Sequence, residues 1–197
     1  MKLLVVHCHP LPESFSAALF GLACGTLQQA EHETRSIDLY AEGFNPVLSA
    51  EERRDYLTNT PACVAGVQTH VDLLRWAEGL VFVYPTWYYG PPAMLKGWLE
   101  RVWLPGVTFE PPARKGHTTL ALLTNVRRLV VITHGGAPWW WLKVMGDPHK
   151  KFWLRGMRAV MHPACTSTWL QLNNMNNATP QDREAFMAKV QRALMKL

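Results

Sequence analysis

Three short stretches concentrate the side chains that could bind and react: His9 to Ser16 (HPLPESFS), Pro85 to Gly90 (PTWYYG) and Thr133 to Gly136 (THGG). Each follows directly on a short apolar run. In the first, Ser14 or Ser16 fits a helix N-cap, and a helix start offers free backbone N–H groups and partial positive charge to an anion. The second is an aromatic loop suited to the face of a flat ligand. In the third, paired glycines let a backbone come close to a ligand. Trp139, Trp140 and Trp141 follow it, and no regular element can turn all three inward, so at least one faces a cleft or a partner. Neither G-x-G-x-x-G nor GK[ST] occurs in the first stretch, which excludes a dinucleotide fingerprint and a P-loop there.

The elements that must position these stretches are legible in the pattern. Leu3 to Val6, Leu80 to Val83 and Leu129 to Thr133 are short, continuously apolar and rich in β-branched residues, as expected of parallel strands buried on both faces. Thr34 to Leu39 alternates more and fits a second strand, and Cys165 to Leu172 a fifth. Between them, Phe15, Ala18, Leu19, Leu22 and Ala23 recur at helical spacing. Ser49-Ala50-Glu51-Glu52 resembles a capping box, and Cys63 to Ala77 a helix. After Pro91-Pro92, the residues Met94, Leu95, Trp98, Leu99 and Val102 mark another. Leu104 to Gly116 reads as a long loop, Gly146 to Met161 as a helix, and Thr179-Pro180 opens a last amphipathic helix. Five strands separated by helices predict right-handed crossovers and a doubly wound parallel sheet. The order 2-1-3-4-5 brings the loops after the first, third and fourth strands to one end.

With 197 residues, the chain is expected to form a single domain over 1–197. The net charge of +5 is moderate and no Lys/Arg run is long enough for a nucleic-acid tail. The four cysteines, Cys8, Cys24, Cys63 and Cys165, show no C-x-x-C spacing, so free thiols are expected and no metal site is predicted. The start of the chain lacks the pattern of a signal peptide, and no stretch reaches the ~20 apolar residues that span a bilayer. A cytoplasmic location without membrane insertion is the expectation.

The residues Gly90, Pro92, Ala93, Leu95, Lys96, Gly97, Trp98, Glu100, Arg101 and Val102, preceded by the aromatic loop, form the pattern G-x-P-A-x-L-K-G-W-x-E-R-V. With His9, Ser14 and Phe15 (H-x4-S-F) before it and Thr133, Gly135 and Gly136 (T-x-G-G) after it, the chain resembles the flavodoxin-like NAD(P)H:quinone oxidoreductases of the DT-diaphorase type. The resemblance covers most of the length. It implies a flavodoxin-like three-layer α/β sandwich, a flavin cofactor, NADPH or NADH as electron donor, a quinone or similar flat aromatic acceptor, two-step hydride transfer, and a homodimer. By the same resemblance, His9, Ser14, Phe15, Ser16 and Ala18 hold the flavin phosphate. Pro85, Thr86, Trp87, Tyr88 and Tyr89, with Thr133, His134, Gly135 and Gly136, cradle the ring, with backbone donors near Tyr88, Tyr89, Gly135 and Gly136.

FAD is the expected flavin and FMN the alternative, with segments 104–116 and 173–177 as the places left to hold an adenine. Mammalian members of the family it resembles carry a tyrosine and a histidine after T-x-G-G, where this chain has Trp139 to Trp141. His134 and Tyr88 are therefore the candidate catalytic side chains, His149 is the other histidine available, and Trp139, Trp140 and Trp141 are expected to wall the substrate cleft. A flavin-binding regulatory subunit of a potassium-efflux system is the alternative function.

Overall fold

A computed structural model describes residues 1–112 and 114–197. A five-stranded parallel sheet runs in the order β2-β1-β3-β6-β7, with β1 at Lys2–His7, β2 at Glu33–Asp38, β3 at Gly79–Pro85, β6 at Arg128–His134 and β7 at Thr166–Leu172. Counting these five alone, this is the expected order 2-1-3-4-5. The numbers β4 and β5 belong to a two-residue antiparallel pair, Phe109–Glu110 with Leu120–Ala121, inside the region expected to be loop.

Position in the sheet follows composition. Every residue of the central β3 is buried, whereas the edge strands β2 and β7 are largely polar and partly exposed. Alternate residues feed two cores, one on each face. Leu4, Val6, Phe82, Tyr84 and Val131 meet Trp98 and Trp153 on one side. Leu3, Val5, Val83 and Ile132 meet Leu19 and Val190 on the other. Each such side chain fully removed from water contributes about 1.5–3 kcal/mol before the entropy of ordering it.

The second face is covered by α1 (Phe15–Gln29) and the last helix, α8 (Pro180–Leu194). Ser14 caps α1 by accepting from the Ala17 N–H at 3.1 Å. Thr179 and Asp182 form a capping box on α8. On the first face lie α2 (Ala50–Asp55), α3 (Thr60–Ala65), α4 (Gln68–Trp76) and α5 (Ala93–Val102). The capping box expected at Ser49 and Glu52 is present. The single helix expected over 63–77 is divided at Gly66 and Val67 into α3 and α4.

The helix expected over 146–161 is present as a helical run over 148–160, starting later and changing type along its length. Gly146 and Asp147 both adopt left-handed backbone, with φ of 77° and 50°, which holds its start to Pro148. The tryptophans instead open α6 (Trp139–Val144), and α7 (Pro148–Lys151) runs into a π-helical turn, Phe152–Gly156, and a 3-10 turn, Met157–Val160. Among the described residues no helix is long and apolar enough to cross a membrane. All four cysteines are free thiols.

Candidate active site

The carboxyl ends of β1, β3 and β6 are adjacent in register, with His7 beside Val83 and Pro85 beside His134. The three chemistry-bearing stretches therefore meet at one end of the sheet. Between the second and third lies a cavity of about 230 Å³. Thr86, Tyr88 and Tyr89 form one wall, Gly135, Gly136 and Ala137 the other, and Leu142 and Gln171 close it. A second cavity of about 260 Å³, beside Trp103, Phe109 and Phe152, shares no residue with it.

The aromatic loop is a tight turn. Trp87 and Gly90 exchange both backbone hydrogen bonds at 3.0 Å, and the two residues between them, Tyr88 and Tyr89, both take positive φ, 47° and 62°. A two-residue turn that matches strand twist requires this conformation and normally uses Asn or Gly. L-residues resist it by about 1–2 kcal/mol each. Such strain concentrates where ligands are held. Among the described residues, the amides of Tyr88, Tyr89 and Gly136 have no protein acceptor. The Gly135 N–H, expected to be a free donor, is instead bonded to Leu172 O at 3.0 Å.

The glycine pair has a structural reason of its own. A Cβ on Gly135 would stand 3.1 Å from Thr86 Cβ, and one on Gly136 would stand 3.0 Å from Asn176 Nδ2. Their absence lets β6's loop press onto the aromatic loop and onto segment 173–177, which is bonded to it through Met175 N–H to Gly135 O. Segment 173–177 thus backs the glycine loop without lining the cavity. Segment 104–116, of which Ala113 lies outside the described residues, contributes Thr108 and Phe109 to the other cavity.

At the start of α1, Phe15 and Ser16 occupy the first two helical positions, whose N–H groups have no intrahelical acceptor. Ala18 N–H is bonded to Ser14 O, so it is not free for a phosphate as expected. His9 Nδ1 lies 3.0 Å from Leu11 N and 3.2 Å from Leu11 O; in the shorter contact it accepts, and Nε2 is then the donating nitrogen. Arg183 of α8 stands over the Phe15 ring at 6.0 Å and adds a cation that the sequence did not single out.

The expected catalytic pair is separated. Tyr88 is fully exposed at the rim of the cavity. His134 points to the other face of the sheet, with Nε2 2.8 Å from Ser16 Oγ and its ring edge-on to Phe15. Burial, then the proximity of His9 and the Arg183 charge, lower its pKa to about 4, so it is neutral near pH 7. The strand's alternation is the reason: Thr133 faces the cavity side, and His134, one residue on, faces α1. The Ser16 hydroxyl is therefore engaged by His134, and Ser16 has only its amide to offer a phosphate.

The tryptophans also divide. Trp141 donates from Nε1 to Tyr89 Oη at 3.0 Å, tying α6 to the aromatic loop, while Trp139 and Trp140 are 66% and 54% exposed. None of the three lines the cavity, which α6 reaches through Leu142.

Beneath the cavity runs a buried polar chain with no signature in the sequence. Tyr84 Oη lies 2.7 Å from His149 Nε2, His149 Nδ1 lies 3.1 Å from Thr86 Oγ1, and Thr86 Oγ1 lies 2.9 Å from Thr133 Oγ1. Burial lowers the His149 pKa to about 3 and raises that of Tyr84 well above its ordinary value, so both stay neutral.

Comparison with known proteins agrees with this architecture. A family model described as a flavodoxin-like fold matches residues 1–196. Human ribosyldihydronicotinamide dehydrogenase (quinone) is 29% identical over 169 residues, 77% of this chain and 72% of that protein. A ribosyldihydronicotinamide dehydrogenase-like protein from Penicillium crustosum is 30% identical over 159 residues, and the match covers 69% of this chain but 58% of the fungal protein. The crystal structure of Smu.1420 from Streptococcus mutans superposes over the full length of both chains with a TM-score of 0.82 and 27% identity. With the β2-β1-β3-β6-β7 sheet, the match over residues 1–196 makes this chain a member of the flavodoxin-like fold family.

Proposed function

We propose that the chain is a flavin-dependent NAD(P)H:quinone oxidoreductase. The observation that carries this reading is the meeting, at one end of the sheet, of free helix-start amides with a strained aromatic turn whose amides have no protein acceptor. The first suits phosphate, and the second suits the polar edge of a flat, electron-accepting ring. The cavity of about 230 Å³ is below the ~300–1,000 Å³ of complete ligand pockets, so it takes the ring end, with the rest of the cofactor reaching toward α1. The names of the human and fungal relatives point to the same chemistry.

In this reading the phosphates are held by the Phe15 and Ser16 amides and His9 Nε2–H, with Arg183 adding positive charge. These donors are enough for a pyrophosphate, and we propose FAD ahead of FMN. A bound flavin supplies acceptance of hydride from NADPH or NADH and its donation to a quinone or other flat acceptor. The amides of Tyr88, Tyr89 and Gly136 orient the ring edge and favour negative charge there. Trp87 and Tyr89 exclude water from one side, with Trp141 bracing Tyr89. Donor and acceptor use one cleft in turn, which is a ping-pong scheme. We assign Trp139, Trp140 and Tyr88 to the outer wall of that cleft, completed by a second copy of the chain in a homodimer. Four free thiols support a reducing compartment such as the cytoplasm.

The test is to load the purified protein with FAD or FMN, identify the retained flavin by mass spectrometry, and measure initial rates with NAD(P)H and a benzoquinone. Retained flavin and parallel double-reciprocal lines are expected. Failure to retain either flavin would overturn the reading, and retention without turnover would leave a regulatory flavoprotein in its place.

A further inference from the structure

The chain of side chains beneath the cavity fixes where its protons lie. Tyr84 and Thr133 are both 0% exposed. Each hydroxyl has, among the described residues, one side-chain partner: His149 Nε2 for Tyr84 and Thr86 Oγ1 for Thr133. The Trp153 indole packed beside Tyr84 carries only a donor and cannot accept. A buried hydroxyl that fails to donate is left unsatisfied at a substantial penalty. Tyr84 therefore donates to His149 Nε2, and Thr133 donates to Thr86.

The rest follows from the inventory of imidazole and hydroxyl groups. With Nε2 accepting and the ring neutral, the proton of His149 sits on Nδ1 and is donated to Thr86 Oγ1. Thr86 then accepts twice, from His149 and from Thr133, and both its lone pairs are engaged. Its own proton has no partner in this network, and Thr86 is the member of the network that lines the cavity. The reverse orders each leave the Tyr84 or the Thr133 proton buried and unpaired.

We propose that Tyr84, His149 and Thr133 act together as positioning residues that lock the Thr86 hydroxyl as a hydrogen-bond donor into the cavity, where it selects a ligand presenting a carbonyl oxygen or an unprotonated ring nitrogen. Such an acceptor is present on the flavin ring, and to that extent the ligand class rests on the proposed function. Because the two bonds Thr86 accepts polarise its O–H, the donor is stronger than an isolated threonine. A ligand that offers only a donor at this point is rejected, since neither lone pair of Thr86 is available to it.

Two measurements test this. The first reads the proton order without any ligand: nitrogen NMR of the His149 ring in the full-length protein. Protonation on Nδ1 is expected, and protonation on Nε2 would overturn the proposal. The second is the dissociation constant for FAD, followed by flavin fluorescence, in Thr86→Val, Thr86→Ser and Tyr84→Phe. Thr86→Val is expected to weaken binding about five- to tenfold, the scale of one hydrogen bond. Thr86→Ser should restore it. Tyr84→Phe, which removes a hydroxyl that touches no ligand, frees His149 to shift its proton to Nε2 and accept from Thr86. It is expected to weaken binding in the same direction, and adding it to Thr86→Val should produce no further loss.

An unchanged tautomer and unchanged affinity in Tyr84→Phe would overturn the proposal. Should that variant fail to fold, the wild-type tautomer together with the Val and Ser variants at Thr86 still decides it. Absence of FAD binding to the wild type would instead refute the flavin reading, and the tautomer alone would then judge the proton order.

Discussion

Gly97 of α5 packs directly against Pro46, so closely that a Cβ on it would stand 2.1 Å from the Pro46 carbonyl oxygen. Helix α5 follows the aromatic turn, and this contact, with Arg101 donating to Asn45 O at 2.6 Å and to Glu52 Oε1 at 3.0 Å, seats it against the loop after β2. Gly97→Ala must push helix and loop apart. The expected loss is about 1–3 kcal/mol of stability, the scale of overpacking a tight site, seen as a lower denaturation midpoint. An unchanged midpoint would show that the loop yields freely.

His149 makes stability depend on acid. Its folded pKa, about 3, lies below the ordinary histidine value of 6.5, so above pH 6.5 it is neutral in both states and contributes no pH dependence. As pH falls below 6.5 the unfolded chain takes up the proton and the folded one does not. Stability then falls by about 1.4 kcal/mol per pH unit until the folded pKa is reached. Between pH 7 and pH 4.5 buried His134 adds a second such contribution, and His149→Gln should reduce the slope of denaturant unfolding by up to one proton.

Tyr88 sets stability against binding. Its side chain is fully exposed and its φ is 47°, so Tyr88→Gly removes no packing and relieves an unfavourable backbone. The melting temperature should rise while FAD affinity falls, because the turn loses its preset shape and the rim its ring. A fall in both would show that Tyr88 is held by contacts that its exposure does not reveal.

Arg183 should act on two observables at once. Arg183→Gln removes a cation beside the start of α1, so FAD binding should weaken by several-fold and lose part of its salt dependence. The same change should raise the His134 pKa from about 4, since the Arg183 charge helps to depress it. Titration of His134 by NMR in the protein without flavin checks the second effect independently of the first.

The strands were readable because β1, β3 and β6 are buried on both faces and therefore apolar without interruption. The region after Trp141 was readable as helical but not in its detail: Gly146 and Asp147 delay the run to Pro148, and no spacing marks the π-helical and 3-10 turns that follow. Gly146, Asp147 and Pro148 were the available signal for its start. Nor could the sequence reveal that two tyrosines occupy left-handed positions, since nothing in Tyr-Tyr marks such a turn. The separation of His134 from the cavity needed only strand alternation: a residue at the end of β6 points opposite to Thr133. The Tyr84 to His149 contact joins residues 65 positions apart on different elements, and no local spacing encodes it.

In the proposed function, the strained turn and the start of α1 hold one redox-active flavin between them. The direct measurement is anaerobic stopped-flow absorbance of the FAD-loaded protein, mixed first with NADPH and then with a benzoquinone. Bleaching of the flavin band is expected in the first step and its full return in the second, each at a rate that supports turnover. A flavin band that NADPH leaves unchanged, or a protein that retains no flavin to observe, would contradict it.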